Sequence, residues 1–72
     1  MTETELRDAV GAVLERAPDD IDGDANLVVL GLTSLDLMRL VGRWRRAGVD
    51  VSFEALVAEP TLDAWLTHLG GR

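Results

Sequence analysis

Apolar residues recur at helical spacing in three long stretches of the chain. Leu6, Val10, Val13, Leu14 and Ala17 fall at steps of three and four, which predicts an amphipathic first helix over about Thr2 to Arg16. Leu37, Leu40, Val41 and Trp44 repeat the pattern in a second helix from about Ser34 to Ala47, stopped by Gly48. Leu62, Trp65, Leu66 and Leu69 carry the stripe of a last helix opened by Thr61 and Asp63. Before it, Ser52 is placed to cap a short helix running through about Val57, with Leu56 facing inward. Val49-Asp50-Val51 is too short for a useful strand. The expected fold class is all-α: a small four-helix bundle of three main helices and one short helix, with a long first loop.

Polar residues punctuate these stripes where helices start and stop. Thr2 with Glu5, and Thr33 with Asp36, have the spacing of capping boxes. Pro18 ends the first helix, Arg16 sits near its C-terminus, and Pro60 ends the short one. The connection from about Pro18 to Leu32 is long for so small a domain, and loops of that length are commonly functional. It opens on turn-forming acids and then turns apolar at Leu27, Val28, Val29, Leu30 and Leu32, residues expected to pin it onto the bundle. Asp22, Asp24 and Asn26 imitate the opening of a calcium loop. Leu27 then takes the place of the required glycine and Thr33 that of the bidentate glutamate, so no metal site is expected.

Leu30-Gly31-Leu32-Thr33-Ser34-Leu35 is the stretch with candidate chemistry. With Thr33 as N-cap, Ser34 is the first helical residue, its hydroxyl at the positive end of the helix dipole. A phosphoester there would meet free backbone N–H groups and a favourable field. On the hexapeptide alone, a plain helix cap is the commoner explanation of Ser34. Leu35 and Met38 lie off the core stripe and beside Ser34, while Phe53 and Val57 pair on one face of the short helix. Together they form a candidate partly exposed patch for partners, or else the edges of a wide apolar stripe.

Composition narrows the function further. Seventy-two residues make one domain, 1–72, with 70–72 as a frayed tail or linker start. Such a domain buries only about 60% of its extended-chain surface. There is no cysteine, so disulfides and thiolate metal sites are excluded and any thiol must arrive on a cofactor. Net charge is −6, with nine acidic and two basic side chains in residues 1–36 against four and five in 37–72. That balance disfavours nucleic acid and suits either steering toward a basic partner or simple solubility. Arg39, Arg43, Arg45 and Arg46 gather toward the end of the second helix, where the dipole favours them. The acidic start lacks a signal peptide's basic and apolar regions, and no apolar run approaches a membrane span. A free-standing cytoplasmic monomer is expected. The single histidine, His68, is distant in sequence from Ser34, with nothing to specify an orienting group or an oxyanion site. No catalytic residue is assigned.

The segment Asn26 to Leu35, together with Arg43-Trp44-Arg45-Arg46 and Pro60-Thr61-Leu62-Asp63-Ala64-Trp65, resembles the phosphopantetheine-binding carrier proteins. The likeness is greatest to the aryl and peptidyl carriers of nonribosomal peptide and siderophore assembly, and it runs from Leu6 to Leu69. It implies an acyl-carrier-like bundle with a 4'-phosphopantetheine arm, drawn from coenzyme A, on Ser34. Thr33 stands where that family usually has Asp or His. The resemblance also implies a phosphopantetheinyl transferase, an adenylating enzyme that loads an aryl or aminoacyl group as a thioester, and a downstream condensation or tailoring enzyme. Leu35, Met38, Phe53 and Val57 match positions that contact such enzymes. An acyl carrier of a polyketide or fatty-acid-type pathway, or a helical interaction module without prosthetic group, are the alternatives.

Overall fold

The computed structural model describes residues 1–69, and the expected tail at 70–72 lies outside them. Four α-helices follow in order: α1 (Glu3–Leu14), α2 (Ser34–Arg46), α3 (Phe53–Ala58) and α4 (Leu62–Leu69). A single turn of 3-10 helix, Pro18–Asp20, interrupts the first loop.

Both capping boxes form. Thr2 accepts from the Glu5 N–H while the Glu5 carboxylate accepts from the Thr2 N–H, each at 3.1 Å. Ser52 caps α3 by accepting from Ala55 N–H. Gly48, with φ +88°, follows the end of α2.

α1 stops at Leu14, short of the expected Arg16. Pro18 forces Ala17 into extended backbone (φ −62°, ψ 139°), so the chain must leave the helix earlier. It does so at Glu15, which takes the left-handed region at φ 56°. The Gly11 carbonyl then accepts the N–H groups of both Glu15 and Arg16. A Cβ on Gly11 would stand 2.8 Å from the Arg16 carbonyl oxygen, so this wrap needs the glycine. Arg16 therefore falls beyond the last turn of α1, and Ala17, expected in the stripe, is exposed.

The core collects one face of each main helix. Leu6 and Val10 of α1, the expected quartet of α2, Leu56 of α3, and Leu62, Trp65 and Leu69 of α4 are buried. Val13, Leu14 and Leu66 are only half-buried against it. Ile21 and Val51 join from the loops; each is a lone apolar residue with no periodicity to mark it. Trp65 is fully buried, donates its indole N–H to the Leu56 carbonyl at 3.0 Å, and meets Trp44 edge-to-face at 6.3 Å between ring centres.

Arg7 holds the start of the first loop. Its guanidinium donates to the carbonyls of Pro18 (3.1 Å) and Ile21 (2.6 Å) and pairs with Glu3 at 3.0 Å. Isolated charges inside an amphipathic stripe give no sequence signal for such a role.

Candidate functional site

The site is built by the second half of the first loop and the start of α2. Asn26 begins it: its side-chain oxygen accepts from the N–H groups of Val28 (2.9 Å) and Val29 (3.2 Å). Leu27 N–H donates to the Pro60 carbonyl at 2.8 Å, and Leu32 N–H closes the turn onto the Leu27 carbonyl at 2.9 Å. Gly31 bonds back to Val28 with φ +115°, a conformation that other L-residues rarely take.

This turn inverts part of the expectation for the loop. Leu27 and Leu32 are buried and hold it down, whereas Val28 and Val29 are 60% and 80% exposed rather than pinned to the bundle. The cause is the Asn26 side chain, which curls the backbone so that both valines face outward. Asn26 two and three residues ahead of them, with Gly31 closing, was the available signal.

Thr33 (φ −95°, ψ 164°) is the N-cap of α2. Its hydroxyl accepts from Asp36 N–H and its own N–H donates to the Asp36 carboxylate, both at 3.1 Å. The cap is thus satisfied without Ser34, whose side chain stands exposed on the first residue of the helix. Thr33→Ala is expected to cost about 0.5–2 kcal/mol in chemical denaturation, while Thr33→Asp retains the cap. The bond from Thr33 N–H, then its side chain, holds the Asp36 carboxyl below the usual range. A lowered folded pKa means that the box stabilises the fold above the ordinary carboxylate range, near about 4, and that this contribution is lost as pH falls through the folded value. An NMR titration of Asp36 in wild type and in Thr33→Ala checks this: the substitution should move the midpoint upward.

Beside Ser34 lies an apolar groove of about 280 Å³, lined by Val28, Leu32, Leu37, Val57, Pro60 and Trp65 along with Ser34 itself. A second, shallow notch of about 260 Å³ lies between α2 and α3, formed by Met38, Val41, Gly42, Arg45 and Phe53. Leu35, Met38 and Val57 are 56%, 59% and 50% exposed, whereas Phe53 is half-buried against the core. Val57 therefore shares the groove of Ser34, Met38 and Phe53 share the notch, and Leu35 borders neither. His68 is exposed in the last turn of α4.

A serine with a free hydroxyl, held at the mouth of a helix beside an apolar groove, suits a covalently attached anionic arm. Residues 4–69 match the family model for the phosphopantetheine attachment site. This chain belongs to that family. Carrier domains of this family are not themselves catalytic; they bear a covalent 4'-phosphopantetheine and work with phosphopantetheinyl transferases and synthetase partners.

Among similar proteins, the carrier domain is 42% identical over 67 residues to phenyloxazoline synthase MbtB of Mycobacterium sp. (strain MCS), covering 93% of this chain and 6% of that protein. It is 37% identical over 60 residues to an isochorismatase of Bacillus subtilis, covering 83% and 19%. Over 60 residues it is 38% identical to enterobactin synthase component B of Escherichia coli K12, covering 83% and 21%. The chain thus spans a small part of each relative's length. No solved structure gives a significant match. Among the described residues no helix is long and apolar enough to cross a membrane.

Proposed function

We propose that Ser34 is the attachment residue and that the domain carries an aryl or aminoacyl group between enzymes of a nonribosomal-peptide-type pathway. The observation that carries the assignment is the division of labour at the start of α2: Thr33 makes the cap, leaving the neighbouring Ser34 hydroxyl exposed and uncommitted. When attached, the phosphopantetheine arm supplies a terminal thiol that holds an acyl group as a thioester. The chain's residues hold and orient that arm. The first-turn N–H groups of α2 at Ser34 and Leu35 would favour its phosphodiester, and the groove walls would give apolar contact near its root. The phenyl group in the name of phenyloxazoline synthase supports an aryl cargo. The partners in this reading are a phosphopantetheinyl transferase, an adenylating enzyme and a downstream condensation or tailoring enzyme. The chain itself performs no chemistry and acts as a cytoplasmic monomer.

Incubation with coenzyme A and a broad-specificity phosphopantetheinyl transferase should raise the protein mass by one phosphopantetheine. Ser34→Ala should abolish that increase with the helical circular dichroism unchanged. Modification that persists in Ser34→Ala refutes the assignment.

Leu35, Met38, Phe53 and Val57 are proposed as the surface that loading and downstream enzymes contact. Met38→Ala removes an exposed anchor and should slow thioester loading by about tenfold, the equivalent of 1.4 kcal/mol, with little change in melting temperature. Phe53→Ala should affect both loading and stability, since its ring also covers the core. Unchanged loading kinetics in Met38→Ala would remove it from the surface.

A further inference from the structure

We propose that the cleft between α1 and α2 is a second docking face, which takes an extended basic segment of a synthetase partner at the end of α2 remote from the arm. This rests on the carrier reading for its partner and adds a contact that leaves Ser34 free. α1 packs most closely on α4 and on the Pro18–Asp20 turn. A cleft of about 520 Å³ stays open between α1 and α2, against about 280 Å³ for the groove at Ser34. Glu5, Asp8, Ala9 and Ala12, at steps of three and four, form the α1 wall, and Arg43 and Trp44 the facing one. Arg43 stands nine residues beyond Ser34, about 14 Å along the helix at 1.5 Å per residue.

Two observations point to the occupant. Trp44 is only 5% exposed, yet its indole N–H, unlike that of Trp65, donates to no group among the described residues. No buried side-chain nitrogen or oxygen among those residues lacks a partner, so this N–H reaches the surface, and the surface that Trp44 lines is the cleft. A backbone carbonyl of an extended segment would accept it. The second observation is charge. Glu5 and Asp8 face Arg43 alone, and the one ion pair among the described residues is Arg7–Glu3, so neither carboxylate is paired. Arg7, the only base of α1, is committed to Glu3 and to the carbonyls of Pro18 and Ile21. Nine acidic against two basic side chains in residues 1–36 carry the same sign beyond the cleft. Lysine ammonium groups of the occupant complement the α1 wall and would be drawn to it, while their methylene stems cover Ala9 and Ala12.

The test uses the ¹⁵N-labelled chain and two short synthetic peptides, one with a leucine between lysines and one with it between glutamates. The lysine peptide should shift the Trp44 indole N–H and the amides of Glu5, Ala9 and Ala12, saturably and more weakly at high salt, and leave the Trp65 indole and Met38 in place. The glutamate peptide should not. Glu5→Gln, which keeps the capping box, combined with Asp8→Asn should weaken the lysine peptide by about three- to tenfold. Arg43→Gln should strengthen it by about twofold, since it removes the opposing charge. No saturable shift with the lysine peptide, equal binding of the two peptides, shifts centred on Met38, undiminished binding by the double variant, or weaker binding by Arg43→Gln overturns the proposal. Phosphopantetheinylation of the same samples, read by mass, reports on Ser34 separately, so failure of one reading is distinguishable from failure of the other.

Discussion

Trp65→Ala should leave little folded protein at ambient temperature. The side chain is fully buried, and its removal takes about 3–5 kcal/mol in packing. It also strips the donor from the Leu56 carbonyl, and a buried acceptor left without its bond costs about 1–3 kcal/mol more. A domain of this length holds a total of about 4–11 kcal/mol at ordinary stabilities per residue. The two losses together consume most of that reserve. Trp65→Phe separates them, since it keeps an aromatic ring against Trp44 and orphans only the carbonyl, at about 1–3 kcal/mol. Urea titrations followed by circular dichroism give both values. A stable, cooperative Trp65→Ala protein would show that the core does not depend on this side chain.

Leu27→Ala should cost about 2–5 kcal/mol and also slow modification of Ser34. Leu27 is fully buried. It is the residue through which the site loop reaches α4's approach, by its N–H on the Pro60 carbonyl, and the one onto which Leu32 closes. Truncation loosens the turn that delivers Thr33 and Ser34 to the start of α2. The transferase would then meet an ensemble of loop conformations in place of one. Val28→Ala, one residue on, removes a side chain that is 60% exposed and should leave the melting temperature nearly unchanged. The contrast between neighbours tests the anchoring itself. Equal destabilisation by the two would mean that the loop is held along its whole length.

The helices were legible because their signals are local. The stripe of α2 and the box of Thr33 and Asp36 lie within one helix, so the position of Ser34 at its start could be read from spacing alone. The loop was less legible because its order depends on partners distant in sequence. Leu27 bonds to Pro60, and Arg7 reaches Pro18 and Ile21. A run of five apolar residues from Leu27 to Leu32 says only that some are buried. The Asn26 side chain decides which, by turning Val28 and Val29 outward. Likewise Phe53 and Val57 were placed together by spacing, yet α3 packs so that one is half-buried and the other exposed. Periodicity locates a face of a six-residue helix without fixing its tilt.

The edge-to-face contact of Trp44 and Trp65 has a spectroscopic consequence. The chain has two tryptophans, one phenylalanine and no tyrosine, so its long-wavelength ultraviolet emission comes from this single pair of indoles. One ring belongs to α2 and the other to α4. Emission therefore tracks the docking of those two helices, whereas far-ultraviolet dichroism tracks helix content. A state that keeps its helices but loses side-chain packing would change the first signal and spare the second. The domain carries a native, label-free gauge of whether its last helix is seated while other proteins handle it.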